Sequence, residues 1–347
     1  MVTVRDTLSR ALAHRDNDYR QIAEAICWAR KVDWHSVTAA TKASGTSLSV
    51  VIPARNAEHS LATVLDALGA QDTSGTFEVI VIDDASSDDT TAVAASHPVV
   101  DVTWRLPDRV GGAAARNVGT YLAEADTVVY LDADMVLPRH VLADIAVRAH
   151  PELVLVGFRH GIPYASAGHG RAVVPSSEPD LRADHRVCWR APAGVPMFYT
   201  GQVYDQPFTG HPLDHTDEFV ALGFGRAYHD WDLPRMVVTA LVAVPRAAVF
   251  EVGGFDAGFD ASGWGSEDTH LGAALIAAGC KVAPLRQVRG YHIDPPDAQQ
   301  QWQAKFATAA ERVAYFRQLL EQPAPCGRAD QLAATAQRLL QTAQELR

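Results

Sequence analysis

Residues 127–134 read TVVYLDAD, a short apolar run that ends in two aspartates separated by one alanine. Two similar apolar runs come earlier in the chain, over Leu48–Pro53 and over Val79–Ile82. Between these runs, apolar residues recur at helical spacing, as they do over 61–68. Buried strands that alternate with amphipathic helices predict an α/β fold, with a mostly parallel central sheet flanked by helices on both faces.

The rest of the chain extends this pattern in both directions. Residues 1–46 are predicted to form an N-terminal helical appendage, and residues 47–157 carry the alternation of strands and helices. Residues 158–296 begin with a long irregular stretch that is rich in Gly, Pro, His, Asp and aromatic residues, and stretches of this kind usually have a function. Residues 297–347 are predicted to form C-terminal helices.

The charge and hydropathy of the chain exclude some classes of partner. The 347 residues include 30 basic and 41 acidic side chains, a formal net charge of −11, which gives no general attraction to nucleic acid or to an anionic membrane. The longest apolar run, Met236–Val244, is far too short to span a bilayer, and the first residues contain no apolar signal core. We therefore expect a cytoplasmic protein without stable membrane insertion. The N-terminal appendage is expected to be a packing or homo-oligomerisation element.

Acidic residues stand at the ends of two predicted strands, Asp83 and Asp84 after one and Asp132 and Asp134 after the other. Ligands of open α/β sheets bind beyond the carboxyl ends of the strands, where these side chains are placed. Alternate carboxylates suit a hard divalent cation, Mg²⁺ or Mn²⁺, that also holds a diphosphate. The alternative is that each aspartate only caps the next helix or turn. His292 becomes a metal-ligand candidate if Asp134 is its partner.

A second acidic pair follows a tryptophan between two glycines, in the run GWGSED over 263–268. The face of Trp264 can stack on a sugar ring, and Glu267 and Asp268 can accept protons or hydrogen bonds from hydroxyl groups. The alternative is a helix N-terminus where the helix dipole favours acidic residues.

Several of these motifs occur together in a fixed order. The first four are LSVVIPARN (48–56), VIVIDDASSDDT (79–90), AARNVG (114–119) and YLDAD (130–134). As an ordered set they resemble family 2 glycosyltransferases of the Rossmann-like GT-A fold. The later part, with VGGFD (252–256), the run 263–268 and His292, is similar to the β-1,4-galactosyltransferases and the polypeptide N-acetylgalactosaminyltransferases. The resemblance covers approximately residues 47–295.

On the donor side, the resemblance implies a nucleotide pocket lined by Pro53 and Arg55. Either Asp83 or Asp84 would accept the imide N–H of the base, which favours a UDP- or dTDP-type sugar over a purine nucleotide. Arg116 would contact the base or the donor phosphates.

The resemblance also implies a divalent metal, Mn²⁺ or Mg²⁺, beside the donor. Asp134 and His292 would bind this metal. Asp132 would approach either the metal or the ribose of the donor.

On the acceptor side, the resemblance implies that Trp264 and Glu267 hold the acceptor and that Asp268 is the catalytic base. The implied reaction is an inverting single displacement, in which the base takes the proton of an acceptor hydroxyl as that hydroxyl attacks the anomeric carbon. A soluble tailoring enzyme for a natural product or a glycan is favoured.

The irregular segment 158–235 is expected to shape the acceptor site. Its acidic residues, among them Asp214, Asp217 and Asp230, suggest an amine-bearing acceptor such as an aminosugar. His211 and His215 with Asp217 could also suggest a second metal site, but a plain polar loop is favoured over that site.

Three other functions are weighed against this one. A retaining transferase would use the same fold, and a non-catalytic nucleotide-sugar-binding protein would keep the pocket without the chemistry. A sugar-phosphate nucleotidyltransferase would need a basic, glycine-rich loop after the first strand, but the turn PARNAEH over 53–59 contains no glycine.

Overall fold

The computed structural model describes residues 6–43, 46–184, 186, 233–263 and 265–347. In chain order, its strands are β1 (Ser47–Ala54), β2 (Thr76–Asp83), β3 (Val102–Arg105), β4 (Thr127–Leu131), β5 (Met135–Val136), β6 (Leu153–Ile162), β7 (Ser166–Gly168), β8 (Arg171–Ala172), β9 (Leu241–Pro245), β10 (Lys281–Ile293) and β11 (Gln344–Glu345). Nine of them form one sheet in the order β11-β3-β2-β1-β4-β9-β6-β10-β5, and β7 pairs with β8 in a separate hairpin.

Most strands of the large sheet run in one direction. β1 pairs in parallel with β2 and β4, β2 with β3, and β6 with β10. β9 runs against its neighbours β4 and β6, and β5 and β11 run against the strands that they flank. The prediction of an α/β fold with a mostly parallel central sheet is therefore confirmed.

The described helices cover this sheet. In chain order they are α1 (Leu8–Ala13), α2 (Arg20–Arg30), α3 (Leu61–Gly69), α4 (Thr90–Ser96), α5 (Gly112–Leu122), α6 (Val141–Arg148), α7 (Leu233–Met236), α8 (Arg246–Val252), α9 (Glu267–Ala277), α10 (Ala298–Ala307), α11 (Ala309–Leu320) and α12 (Ala329–Leu340). The expected N- and C-terminal helices are present among them.

The central strand β1 shows why the sheet needs helices on both faces. Successive side chains of a strand point to opposite faces. Val50 and Ile52 pack into one apolar layer with α3, whereas Val51 packs into the other layer with α5, and all three are fully buried. α5 lies very close to the strand, because a Cβ at Gly119 would clash with Val51.

The N-terminal segment is tied to the sheet layers by one buried side chain, Arg148 at the end of α6. Its guanidinium is fully buried and donates hydrogen bonds of 2.7–2.9 Å. The acceptors are the main-chain oxygens of Asp33, Trp34 and Ser36, the hydroxyl of Thr38 and the carboxylate of Asp144. Burial lowers the pKa of Arg148, while Asp144 opposes this shift. The planar fork of one arginine thus holds residues 33–38 against α6.

Strand β10 is the main element that the sequence analysis did not anticipate. Pro284, Arg286 and Gly290 interrupt its apolar pattern, and its pairing with β6 shifts register between Pro284 and Arg289. The strand is nevertheless buried over most of its 13 residues because sheet neighbours and helices cover it.

Two further differences concern boundaries. β6 continues across the limit that was placed between residues 157 and 158, and the parts on either side of it share the same sheet. The apolar residues over 99–104 predict a further strand, and in the structure this strand begins at Val102 rather than at Val99. The acidic residues of 187–232, including Asp214, Asp217 and Asp230, lie outside the described residues. Among the described helices, none has both the length and the apolar character needed to cross a membrane.

We expect Arg148→Met to lower the free energy of unfolding by about 3–5 kcal/mol, because it removes the charge partner of the buried Asp144 carboxylate and the guanidinium donor to the main-chain oxygens of residues 33, 34 and 36. Urea denaturation measures this change. Arg139→Met is the matched control: Arg139 pairs with Asp72 in an exposed ion pair, and its loss should cost about 0–1 kcal/mol. Equal effects of the two substitutions would contradict the anchoring role of Arg148.

Candidate functional site

The carboxyl ends of β1, β2 and β4 meet at one edge of the sheet, beside a cavity of about 310 Å³. Its lining includes Pro53 and Arg55 at the end of β1, Asp84 after β2, and Asp132 and Asp134 after β4. Ligand sites in open α/β sheets form at such edges. The volume lies at the lower end of the range for small-molecule sites, about 300–1,000 Å³.

The two adjacent aspartates after β2 have different surroundings. Asp83 is fully buried, and its carboxylate accepts hydrogen bonds from the Ser86 amide (2.9 Å) and the Thr91 hydroxyl. The Asp84 carboxylate accepts hydrogen bonds from the amides of residues 110–111 (2.6 and 3.0 Å) and lines the cavity. Of the two, therefore, Asp84 faces the cavity, whereas Asp83 holds the loop that follows β2.

The side chain of Arg55 contacts the start of the loop that follows β2. Its Nη1 donates hydrogen bonds to the main-chain oxygens of Asp84 (2.6 Å) and Ala85 (3.2 Å). Ala85 has a φ of 54°, a left-handed conformation that is uncommon for a residue with a Cβ. The Arg55 contacts help to fix that turn beside the cavity.

Two carboxylates and one imidazole converge on the other side of the cavity. Ligand atoms of Asp132, Asp134 and His292 all lie within 4.8 Å of one another. His292 Nε2 is 3.3 Å from Asp134 Oδ1 and 3.8 Å from Asp132 Oδ2. Asp134 Oδ1 is buried, and despite its nearness to the imidazole it has no hydrogen-bond partner among the residues that the structure describes. Two carboxylate oxygens and one ring nitrogen, with an unsatisfied oxygen among them, fit a divalent cation.

The charges in this cluster depend on one another. Burial opposes ionisation of Asp132, but the nearby imidazole of His292 and the charge of Arg116 hold its pKa well below the usual range. Burial raises the pKa of Asp134, and the nearby Asp132 adds to that shift. Burial alone would lower the pKa of His292, but the two carboxylates raise it. One negative charge of the cluster is thus fixed on Asp132.

The pairing of β5 with β10 is what brings His292 to the aspartates. His292 lies opposite Met135 in the antiparallel register, and the amide of Ile293 donates a 2.9 Å hydrogen bond to the main-chain oxygen of Asp134. A histidine more than 150 positions along the chain therefore contacts the two-residue strand that directly follows Asp134.

Arg116 connects this cluster to the second acidic pair. It projects from α5, and its Nη2 lies 2.8 Å from Asp132 Oδ1 while its Nη1 lies 3.6 Å from Glu267 Oε1. Its side chain is 8% exposed. Burial opposes the charge of the guanidinium, but the two carboxylates raise its pKa. Arg116 thus carries a fixed positive charge between the two acidic groups.

The second acidic pair begins α9. Glu267 lines the cavity and accepts a 2.7 Å hydrogen bond from the Gly265 amide. Its pKa is raised by burial first and then by the neighbouring charge of Asp268. Asp268 is half-buried and accepts a 2.7 Å hydrogen bond from the Thr269 amide. Trp264 lies outside the described residues, so its role stays a prediction.

Lys305 of α10 contributes a positive charge to the same region. Burial lowers its pKa to about 8, while Asp268 and Glu267 oppose that shift and Arg159 and Arg312 add to it. Lys305 is therefore a half-buried lysine whose charge interacts with both acidic residues at the start of α9.

Sequence reasoning missed several residues that line the cavity. The Asp260 carboxylate accepts 3.3 Å hydrogen bonds from the amides of Ala113 and Ala114, at the start of α5, and burial raises its pKa. Trp302 also lines the cavity, from a helix beyond the last motif. Asp260 lies only three positions before the run 263–268, and this nearness to a motif could have identified it. No spacing rule pointed to Trp302.

Comparison with known proteins identifies the part of the chain that carries these first motifs. Residues 49–172 match the glycosyl transferase family 2 domain. The chain is 30% identical over 256 residues to a validoxylamine A glucosyltransferase from Streptomyces hygroscopicus subsp. limoneus, covering 70% of this chain and 51% of the relative. It is 42% identical over 93 residues to the amylovoran biosynthesis glycosyltransferase AmsB of Erwinia amylovora, covering 25% of this chain and 31% of the relative.

Among solved structures, a mannosyltransferase from Pyrobaculum calidifontis in complex with GDP-Man and Mn²⁺ matches with a TM-score of 0.45 and 18% identity, over 96% of this chain and 85% of that one. The chain spans about half the length of the two validoxylamine A glucosyltransferases that it matches. Residues 49–172 form a family 2 glycosyltransferase domain, and the predicted family is confirmed there. The similarity of the later part to galactosyltransferases stays a prediction.

We expect the stability difference between the wild type and Lys305→Met to depend on pH. The pKa of Lys305 is about 8 in the folded chain and 10.5 for a free lysine, so the unfolded chain binds more protons between these values. The wild type should therefore gain stability relative to the variant as pH rises from about 8 to 10.5 and lose it again as pH falls through the same window, with no further change below pH 8. Urea titrations at pH 7 and pH 10 measure the difference. Lys42→Met, at an exposed lysine, controls for the lost charge. The same stability difference between wild type and Lys305→Met at both pH values would contradict the lowered pKa of Lys305.

Proposed function

We propose that this protein, built around a family 2 glycosyltransferase domain, transfers a sugar from a nucleoside-diphosphate sugar to an acceptor hydroxyl with inversion and with the help of a divalent metal. The observation that carries the proposal is the convergence of two acidic groups on one cavity. Asp132 and Asp134 come from the end of β4, Glu267 comes from the start of α9, and Arg116 lies between them.

The nucleotide would bind at the end of the cavity formed by Pro53, Arg55 and Asp84. The carboxylate of Asp84 accepts two amide hydrogen bonds, and its remaining lone pairs can accept the imide N–H of uracil or thymine. This supports a UDP- or dTDP-type donor. Asp83 would act indirectly, by holding the loop in which Asp84 stands.

The diphosphate would lie beside Asp132, Asp134 and His292, which would hold Mn²⁺ or Mg²⁺. When bound, such a cation neutralises charge on the departing diphosphate as a Lewis acid. Arg116 keeps Asp132 ionised and would orient its carboxylate toward the cation or the ribose.

Asp268 would remove the proton from the acceptor hydroxyl. The bond from that oxygen to the anomeric carbon would form as the bond from the anomeric carbon to the diphosphate oxygen breaks, and the proton would remain on Asp268. Glu267 and Trp264 would hold the acceptor beside it. Glu267 is fixed by the Gly265 amide and by Arg116, which supports a positioning role.

The acceptor is proposed to be a small polyhydroxylated natural product or a glycan. The validoxylamine A glucosyltransferases, at 30% identity, support this class, and validoxylamine A is the first acceptor to test. The expectation of an amine-bearing acceptor agrees with that choice. The irregular segment 158–235 is proposed to shape the site around the acceptor.

Metal-dependent nucleotide binding tests the donor site. We expect one of UDP, dTDP, GDP and CDP to raise the melting temperature in Mn²⁺ but not in EDTA, because a ligand at about 100 times its Kd stabilises the native state by about 2.7 kcal/mol. Asp134→Asn and His292→Gln should lose this shift, whereas His14→Gln, at an exposed histidine, should keep it. No shift with any nucleotide in the wild type would overturn the proposal.

Replacement of the proposed base tests the chemistry. We expect Asp268→Asn to slow transfer by about 10²–10⁴-fold, the usual contribution of a general base, while the nucleotide-dependent melting shift is kept. Asp72→Asn, at a carboxylate that is 63% exposed and outside the cavity, is the control. Full activity of Asp268→Asn would refute the assignment, and a product with retained anomeric configuration by NMR would refute inversion.

A further inference from the structure

Helix α10 forms part of the cavity wall although it lies well beyond the family 2 domain, which ends at residue 172. Ala298, Gln301 and Trp302 line the same cavity as His292 and Glu267. An indole and a carboxamide are thus presented to the space between the proposed metal site and the proposed acceptor motif.

Two side chains of the same helix, α10, contact the indole ring of Trp302. Lys305 Nζ lies 5.1 Å from the ring centroid, and the Phe306 ring stacks at 5.8 Å with an interplanar angle of 27°. These residues are three and four positions further along, where helical side chains meet. A ring held in this way offers contact area at little further cost in conformational entropy, as aromatic anchors in binding sites do.

The same helix packs against the run that contains the proposed base. The Arg312 guanidinium donates a 2.5 Å hydrogen bond to the main-chain oxygen of Lys305. A Cβ at Gly265 would lie 3.1 Å from Lys305 Cε, and a Cβ at Gly263 would lie 3.6 Å from Arg312 Nη1. The side chain of Lys305 faces Glu267 and Asp268. α10 therefore borders the acceptor side of the cavity, whereas the nucleotide end is formed by residues 53–57 and 84.

We propose that Trp302 is an acceptor-binding residue that packs its indole against the C–H face of a six-membered polyhydroxylated ring, a pyranose or a cyclitol. The Nε2 of Gln301 donates a 2.8 Å hydrogen bond to Asp297 Oδ1, and in the proposal the amide oxygen of Gln301 accepts a hydrogen bond from a ring hydroxyl. This proposal rests on the proposed transferase function for the identity of the site. A flat apolar surface bordered by a polar amide suits a ring whose hydroxyls project from its edge and whose C–H bonds form its faces. Such a contact selects ring-shaped acceptors over linear polyols.

Saturation-transfer NMR tests this contact directly. The probes are methyl β-D-glucopyranoside and myo-inositol, with linear sorbitol for comparison, each added to the full chain with Mg²⁺ and the nucleotide chosen by the melting shift. We expect saturation of the ring C–H protons in the wild type and weaker saturation for sorbitol. In Trp302→Leu the affinity for the ring probes should fall about tenfold, which is the scale of a lost aromatic contact.

Two variants separate a specific contact from general damage. Trp302→Phe keeps an aromatic face and should keep most of the binding, and Trp28→Leu, at a tryptophan that is 85% exposed on α2, should leave it unchanged. The nucleotide melting shift and hydrolysis of the donor by water should be the same in Trp302→Leu as in the wild type.

Three outcomes would overturn the proposal: equal ring saturation in Trp302→Leu and the wild type, no ring saturation in a wild type that binds its nucleotide, or a parallel loss of donor hydrolysis. A wild type that saturates ring probes but binds no nucleotide would leave the ring contact standing and defeat the donor assignment instead. The two proposals can therefore fail separately.

Discussion

The guanidinium of Arg116 lies between carboxylates that would otherwise repel each other across the cavity. It is 2.8 Å from Asp132 and 3.6 Å from Glu267, and it is almost completely buried. Loss of one partner from such a buried pair leaves a charge that solvent cannot compensate. The close packing of α5 on β1, which Gly119 allows, sets where this arginine can stand. A packing constraint inside the family 2 domain thus helps to position Arg116, which lies near both Asp132 and Glu267.

The residues that line the candidate site come from segments that lie far apart in the sequence, both inside and outside the family 2 domain. The family 2 domain supplies the strand ends and the first aspartates. The later strand β10 supplies His292, and the helix α10 supplies a wall. Lys305 and Arg312 belong to the C-terminal helices but lie against the run 263–268, so these helices border the proposed acceptor motif.

Much of this architecture could be predicted because it depends on local patterns. The apolar stripe of α3 and the carboxylates after β2 and β4 follow from periodicity and from the geometry of parallel sheets. Asp83 and Asp84 could not be distinguished, since adjacent residues share one pattern and only their hydrogen bonds differ. β10 was missed because burial overrides its broken apolar pattern. Trp302 was missed because its place in the cavity depends on how α10 packs, which no spacing encodes.

Both outer edges of the sheet are antiparallel strands of only two residues, β11 beside β3 and β5 beside β10. A long unpaired strand at a sheet edge is a template on which another chain can add its own strand. In the described part of this molecule, β11 covers the four-residue strand β3, whereas β5 pairs with only Tyr291 and His292 of the 13-residue strand β10. Near the start of β10, the main-chain N–H and oxygen of Val282 are hydrogen-bonded to the side chain of Asn17 instead. Strand addition at the β3 border therefore has little backbone on which to begin, and at the β10 border a side-chain amide occupies the backbone groups at the start of the strand.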